Sequence, residues 1–538
     1  MNIATARTDR NATARRGLSL ALALIAAAMI ALAPRAASAE KRGDDGGLAR
    51  RGWLGAQVAP LSPDARAQIG LPDSAGLEVM GAAEGSAAAK SGLRSGDVLL
   101  TVDGAGVAAP AQLNAKLAGR RPGERLKLEF LRPPADARAG ASAASAQRAS
   151  ASAHERVSKT IALTEVPRES SAHYDVEYGA VTTRVGRLRT IMTKPKTPGP
   201  HPALYIIQGI GVFTVERLPN AAISYAPIIE DFATRGFVTL RVDKPGCGDS
   251  EGGPLKDVDF EAQLDGFRQA LAMLRADRDV DPARILIFGH SMGGCWGPIL
   301  AAETAHNGAG ADAGARQAGA STREPQTNAT ASPSILGIAI YGTAVKTWFE
   351  YTLENNRRQL ALAGVTPAGV DSALRFEAAG NYFLLNESLS PEEIATKHPD
   401  LTAWVDSTFI ERKYTSGLHY TFIQQLSKRN LAAEWGAHTG HSLAMWGSSD
   451  FITSRDDHAL IAEIANTRRE GLGELVVLDG VDHGFYEAAT PAQSISEWGK
   501  PGRTQSPRIV ETLHAWSERV LGGSAAGAPG AGGSGASR

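Results

Sequence analysis

From about residue 200 onward the chain alternates short apolar runs with helix-length segments. The runs are Ala203–Ile207, Phe237–Val242, Ile285–Phe288, Ile335–Tyr341, Ser442–Trp446 and Leu475–Leu478. Apolar strands separated by helices predict a mostly parallel sheet covered on both faces. Tyr174–Val181 and Arg187–Thr193 supply two leading strands on its N-terminal side. Earlier in the chain the period is two. Leu126, Leu128 and Phe130 alternate with Lys127 and Glu129, and Ile161 and Leu163 alternate with Thr160, Ala162 and Thr164. This is strand periodicity, and it predicts a hairpin whose tip is swollen by 133–154, in a first folded unit that ends near Pro167. Long insertions at loop tips are tolerated because closure entropy grows only logarithmically with length.

Composition changes this picture in a few places. Segments 133–154, 306–334 and 522–538 are built mainly of Gly, Ala, Ser and other small or polar residues, and hold few large apolar ones. They bury too little to offset their ordering entropy and read as solvated inserts and a tail. A length of 538 residues predicts more than one folding unit. The 56 Lys+Arg balance 57 Asp+Glu, without the basic excess of a nucleic-acid binder. Two cysteines cannot build a disulfide framework or a four-thiolate zinc site.

The N-terminus reads as an address. Arg7, Arg10, Arg15 and Arg16 precede the apolar stretch Leu18–Ala33, and Ala37-Ser38-Ala39 follows. A basic region, an apolar core and a small-residue site form a secretory signal over 1–39, cut before Glu40 and followed by a linker over 40–50. The apolar stretch is shorter than the roughly 20 residues a membrane-spanning helix needs, so no stable insertion is expected once the signal is removed. The expected location is the bacterial periplasm or the medium.

Three passages in 51–167 belong together: Arg51-Gly52-Trp53-Leu54-Gly55-Ala56, the run Ala87–Gly104 and the run Gln112–Leu117. Their arrangement resembles the PDZ domains of bacterial high-temperature-requirement proteases. The resemblance implies that the N–H groups of Leu54, Gly55 and Ala56 cradle a C-terminal carboxylate. An extended protein tail would then add a strand beside Gly55–Ala59, against the helix around Pro110–Leu117. Arg51 could lend charge to that cradle, although an arginine there is more often solvated. A docking module that never takes a free C-terminus is the other reading of this domain.

The decisive passage is Ile285-Leu286-Ile287-Phe288-Gly289-His290-Ser291-Met292-Gly293-Gly294. An apolar strand, then G-x-S-x-G, then a segment that can be helical, is the nucleophile elbow, which lifts a serine above a sheet at a helix N-terminus. A serine hydroxyl is a weak nucleophile and needs a base and an orienting acid. In this architecture the acid follows a later strand and the histidine comes last. Asp450 follows Ser442–Trp446 and His483 follows Leu475–Leu478, so Ser291, Asp450 and His483 stand in the required order. Asp456, Asp457, Asp482 and His290 are competitors with structural explanations: a helix N-terminus for the first two, loop or elbow packing for the others.

An oxyanion hole needs two donors aimed where negative charge develops. Met292, after the nucleophile, and Ile210, in the loop Gln208-Gly209-Ile210-Gly211, are the expected sources. Gly236–Ser250 completes a resemblance to the α/β-hydrolases, in their esterase, lipase and serine-aminopeptidase-like branch, over about 172–521. Gln208 stands where that family often has histidine. The implied fold class is α/β: an α/β-hydrolase domain over 168–521, with a helical lid over 343–440, preceded by the small β-rich domain. Trp348, Phe349, Tyr351, Tyr382, Phe383, Trp404 and Phe409 give the lid apolar bulk, and His419 and Arg412 are weaker candidates for substrate contact. No metal-ligand spacing, phosphate loop or dinucleotide fingerprint calls for a cofactor.

Three functions remain open on this reading. The first is a serine hydrolase cleaving small acyl esters through an acyl-enzyme, with the PDZ domain binding a peptide or partner. The second is a serine peptidase to which the PDZ domain presents C-terminal peptides. The third is a PDZ adaptor whose hydrolase fold is a docking platform.

Overall fold

The computed structural model describes residues 46–72, 75–134, 154–218, 224–314, 334–500 and 502–526. The expected signal segment, most of the 133–154 insert and most of the 306–334 and 522–538 segments lie outside these residues.

The first unit holds strands β1 (Gly52–Trp53), β2 (Ala56–Pro60), β3 (Leu77–Ala82), β4 (Val98–Val102), β5 (Ala105–Gly106), β6 (Arg125–Arg132), β7 (Glu155–Ala162) and β8 (Thr164–Glu165). Helices α1 (Pro63–Gln68), α2 (Ala87–Ser91) and α3 (Pro110–Leu117) lie between them. The main sheet runs β2-β3-β4-β6-β7, and β1 pairs separately with β8. The period-two reading holds: β6 and β7 are antiparallel with Leu126 opposite Ile161, and the pairing runs out to Arg132 and Glu155. Leu126, Leu128 and Phe130 enter one core with Leu54, Leu77, Val79, Leu99, Leu113 and Leu163. Each such side chain contributes about 1.5–3 kcal/mol on burial.

The second unit is built on β9 (Tyr174–Thr183), β10 (Gly186–Pro195), β11 (His201–Ile207), β12 (Val238–Val242), β13 (Val280–His290) and β14 (Gly337–Tyr341). A small hairpin, β15 (Tyr414–Thr415) and β16 (Leu418–His419), precedes β17 (His441–Gly447) and β18 (Gly473–Leu478). The sheet order is β18-β17-β14-β13-β11-β12-β10-β9. All neighbours from β12 to β18 are parallel, whereas β10 is antiparallel to β9 and β12.

Alternate residues of each central strand feed opposite faces. Tyr205, Ile207, Ile285, Ile287, Ile338 and Ile340 meet helices α5 (Phe260–Ala276) and α6 (Gly293–Gly314) in one layer. Leu204, Ile206, Leu286, Phe288 and Tyr341 meet α4 (Ala226–Thr234) and α15 (Arg508–Ala526) in the other. Burial on both faces is why these strands read as continuous apolar runs. Between β14 and β17 lie α7 (Trp348–Leu362), α8 (Pro367–Asn381), α9 (Pro391–Lys397), α10 (Thr402–Thr408), α11 (Tyr420–Ser427) and α12 (Leu431–Ala437). Leu384, Leu385, Ile394, Trp404, Val405 and Phe409 give this segment a core of its own, with Trp348, Phe349 and Phe383 packed against it. Helix α13 (Arg455–Arg468) follows β17, and α14 (Pro491–Glu497) follows β18.

Two expected spacers are partly helical. Helix α6 continues through Gly314 and α15 through Ala526, into segments read as solvated from their small residues. A helix nucleated by buried turns propagates cheaply, so the alanines after each buried helix extend it even though glycines alternate with them.

The two units are joined by buried charge. Arg50 is 6% exposed. Its guanidinium donates to Glu216 Oε1 at 2.6 Å, to Asp249 Oδ2 at 2.5 Å and to the Val166 carbonyl at 2.9 Å. Arg189 also pairs with Asp249, and the Tyr178 hydroxyl donates to Glu216 at 2.7 Å. Arg51 is part of the same knot: its N–H donates to Asp249 Oδ1 and its side chain reaches Glu216 at 3.3 Å. Replacing Arg50 by Ala leaves two buried carboxylates short of a cation, a loss of about 3–5 kcal/mol. We expect the Arg50→Ala chain to unfold at a clearly lower urea concentration, with far-UV circular dichroism as the readout. An unchanged midpoint contradicts a structural role for this pair.

Candidate active site

The elbow is set by close approach. Ser291 has φ of 54°, the left-handed region. A Cβ on Gly289 would lie 2.6 Å from the Gly293 carbonyl oxygen, and one on Gly293 would overlap the Ile207 carbonyl oxygen. Only glycines let β13, β11 and the start of α6 meet this tightly. The strained peptide is tied down on both sides: Ser291 N–H donates to the Tyr341 carbonyl at 2.9 Å, and Thr343 Oγ1 donates to the Ser291 carbonyl at 2.9 Å.

The fold brings Ser291, His483 and Asp450 together from the ends of three strands. His483 Nδ1 lies 2.8 Å from Asp450 Oδ2, and His483 Nε2 lies 3.1 Å from Ser291 Oγ. A carboxylate only accepts, so Nδ1 carries the proton and Nε2 is free to accept from the serine hydroxyl. Asp450 is 3% exposed; its Oδ1 accepts from the N–H groups of Ile452 and Thr453, and its Oδ2 also accepts from Thr453 Oγ1 at 2.6 Å. Burial pushes this carboxyl up, but the His483 imidazole and the Thr453 hydrogen bonds outweigh it and hold it at about 2.

Of the competitors, Asp456 is exposed in the first turn of α13, and the others are occupied elsewhere. Asp482 accepts from Arg503, Ser494 and the N–H groups of Gly484 and Tyr486, and so braces the loop that carries His483. Asp457 accepts from Ser454, Val345 and Lys346 in the first turn of α13. His290 Nε2 donates to the His483 carbonyl at 2.9 Å, and its Nδ1 accepts from the Tyr225 hydroxyl at 2.8 Å. Arg412 pairs with Asp406 and Glu392, and His419 with Thr421.

Gly209 sits directly over the serine: a Cβ there would lie 2.9 Å from Ser291 Cβ. Ile210 follows it, partly buried against the core, and Met292 is buried at the start of α6. Sequence reasoning missed Gly342, whose φ is 64°; a Cβ there would lie 2.9 Å from His483 Nδ1 and 3.2 Å from Asp450 Oδ2. The only signal was a glycine at the end of a buried strand.

In the first unit, Gly55 has φ of 70°, and a Cβ there would overlap Ser86 Cβ. The carbonyls of Leu54 and Gly55 accept from Ala88 and Ala83 at 2.8 Å each. In a trans peptide the N–H opposes the carbonyl, so the Gly55 N–H faces away from α2 and the Ala56 N–H away from Ala83. Strand β2 is the end strand of its sheet, with α3 packed beside it. The Arg51 side chain, about one-fifth exposed, reaches Glu216 at 3.3 Å.

Among the described residues no group of three or more His, Cys, Asp or Glu side chains could hold a metal, and no helix is long and apolar enough to cross a membrane. Cys247 and Cys295 are free and buried, and burial pushes their thiols up to about 12 and about 11.

This strand order around a serine elbow is that of an α/β-hydrolase fold, and the smaller unit before it is a PDZ domain. Residues 211–315 match the family model described as serine aminopeptidase, S33, and residues 52–140 match that of the PDZ domain. A probable periplasmic serine endoprotease DegP-like from Brucella suis biovar 1 is 37% identical over 86 residues, covering 16% of this chain and 17% of the relative. One of the same description from Rhizobium meliloti is 32% identical over 137 residues, covering 23% and 27%. The chain therefore spans only about a sixth to a quarter of the length of these curated relatives. Among solved structures, Est1E from Butyrivibrio proteoclasticus is 12% identical with a TM-score of 0.37, covering 64% of this chain and 99% of that one. A Pyrobaculum calidifontis esterase is 18% identical with a TM-score of 0.37, covering 66% and 87%.

Burial, with the neighbouring His483, lowers His290 to about 3, and burial lowers His438 to about 4. An unfolded histidine titrates near 6.5, so between there and these values the unfolded chain binds protons that the folded chain refuses. Stability therefore falls as pH falls through that window, by about 2 kcal/mol per histidine at pH 5. The urea midpoint at pH 5 should lie below that at pH 7, and His290→Gln should reduce the difference. An equal difference in the variant removes His290 as its source.

Proposed function

We propose that the protein is an exported serine hydrolase that cleaves carboxylic esters through an acyl-enzyme. The observation that carries this reading is the continuous relay from Ser291 Oγ through His483 to Asp450. Ser291 Oγ attacks the carbonyl carbon while its proton passes to His483 Nε2. Asp450 holds the imidazole and offsets the charge it gains. The N–H groups of Ile210 and Met292 receive the oxyanion. The carbon–oxygen bond to the alcohol then breaks, and the alcohol leaves with the proton from His483. Water, activated by the same histidine, attacks the acyl-enzyme, releases the acid and restores the serine.

The buried carboxylates on the loops at this end of the sheet favour an ester over an aminopeptidase substrate. Asp243, Asp249, Asp450, Asp457 and Asp482 all hold partners within the protein, so none of them stands ready for a substrate's α-ammonium group. The PDZ domain supports a second reading. Its edge strand β2 and the Leu54-Gly55-Ala56 loop suit a C-terminal tail, which would be delivered for cleavage if the enzyme is a peptidase. The helical segment between β14 and β17 serves as the lid in either case. The basic and apolar N-terminal pattern, together with the word periplasmic in the names of the PDZ relatives, supports export.

Ser291→Ala and His483→Ala should each lower turnover of a short-chain p-nitrophenyl ester by about 10⁴-fold or more. A peptide with a free hydrophobic C-terminus, added in excess, should leave ester turnover unchanged. Serine-dependent cleavage of a peptide p-nitroanilide that outruns the ester, and that this peptide inhibits, would establish the peptidase instead. Ester turnover that survives Ser291→Ala defeats both.

A further inference from the structure

Lys244 is 1% exposed, two residues beyond β12, and it plays no part in the relay. Its Nζ donates to the Gly209 carbonyl at 2.6 Å, with the Phe213 ring 4.8 Å away. We propose that Lys244 is a positioning residue for the oxyanion hole: by gripping the Gly209 carbonyl it turns the Ile210 N–H toward Ser291.

Peptide geometry and strand order carry the argument. The Gly209 carbonyl and the Ile210 N–H belong to one peptide plane, and the cis bonds, Gly199–Pro200 and Gly253–Pro254, lie elsewhere. In a trans plane the two groups point in opposite directions. Strand β11, which delivers Gly209, lies between β12 and β13. Lys244 comes from the β12 side and Ser291 from the β13 side. A carbonyl pulled toward β12 therefore leaves its partner N–H facing β13, the side on which a side chain at Gly209 would run into Ser291 Cβ.

Two neighbouring contacts hold the same loop from the same side. Gln208 Nε2 donates to the Val242 carbonyl at 3.0 Å. Asp243 accepts from Val215 N–H at 2.7 Å and Thr214 Oγ1 at 2.9 Å. Three consecutive residues, 242 to 244, thus hold Gln208, Gly209 and Thr214–Val215. Burial lowers the lysine to about 8, opposed by the neighbouring Asp243, so at neutral pH a charged donor meets the carbonyl. A charge-assisted donor is about twice as strong as a neutral one, which suits it to fix a peptide plane.

This inference rests on the serine-hydrolase reading, and its test separates the two. Ser291 is titrated with an alkyl phosphonofluoridate. The oxygen–phosphorus bond forms as the phosphorus–fluorine bond breaks, fluoride leaves, and the hydroxyl proton passes to His483. The phosphoryl oxygen occupies the oxyanion hole in that step, so no natural substrate is required. In the full chain, Lys244→Met should lower the limiting rate of Ser291 labelling by about 10- to 100-fold, with little change in the half-saturating reagent concentration. Lys244→Arg, which keeps a charged donor, should recover part of the rate. Where the Met variant does not fold, Lys244→Gln takes its place. A folded Met or Gln variant labelled within twofold of the wild-type rate overturns the proposal while leaving the nucleophile intact. Wild-type Ser291 that is never labelled overturns the hydrolase reading and this inference with it.

Discussion

The left-handed backbone at Ser291 is the constraint around which the site is arranged. A non-glycine residue in that region costs on the order of 1–3 kcal/mol and persists only where its surroundings over-determine it. Here the surroundings are the ends of three strands. Gly289 and Gly293 let β13, β11 and α6 close to contact, and Tyr341 and Thr343 hold the serine's own peptide groups. The residue between those two, Gly342, is the one whose missing side chain leaves room for His483 and Asp450. The end of β14 thus fixes the serine and makes space for its partners in one turn. Moving that strand end disturbs both functions at once.

A second constraint is electrostatic and lies where the two units meet. Arg50, Arg51 and Arg189 gather around Glu216 and Asp249 in a nearly water-free space. Buried ion pairs contribute little net stability compared with apolar packing, but they impose one geometry, because a shifted partner is left charged and unsolvated. Glu216 lies farther along the same loop whose beginning Gln208 and Lys244 anchor beside β12. The loop that supplies Ile210 is therefore tied at its start to its own sheet and, at Glu216, to the segment entering the PDZ domain. Donors held before the substrate arrives need no reorganisation during reaction, which is the physical basis of strong oxyanion stabilisation.

How much of this was legible in the sequence depends on the range of the interaction. Strands buried on both faces announce themselves locally as apolar runs, and all eight strands of the large sheet fall where the runs predict, within two residues at each end except for β13, which starts five residues early at Val280. Ser291, Asp450 and His483 were legible because the fold orders them along the chain, so strand counting substitutes for distance. Arg50 was not, since its partners lie 166 and 199 residues away and an arginine at the end of a linker looks solvated. Lys244 was hidden for a similar reason: it lies within Gly236–Ser250, which marks the family resemblance and no contact, and only the parallel pairing of β11 with β12 gives its side chain a carbonyl to hold. The extended helices α6 and α15 were obscured differently. Small residues satisfy both a coil and a helix, and only the buried turns upstream decide between them.

The role of His290 follows from proton accounting. The His483 carbonyl can only accept, so His290 Nε2 must carry the proton, and its Nδ1 must then accept from Tyr225. The Tyr225 hydroxyl in turn accepts from Gly209 N–H at 3.3 Å. A single chain of hydrogen bonds thus runs from the loop above the serine to the loop bearing the base. It works only while His290 is neutral, because a proton on Nδ1 would break the bond from Tyr225. Protonation would also place a cation beside His483, whose own imidazolium must form in the proposed reaction. Burial that keeps His290 neutral down to about 3 therefore serves both ends of the chain. The histidine next to the nucleophile contributes by staying uncharged, and this is what distinguishes it from the base.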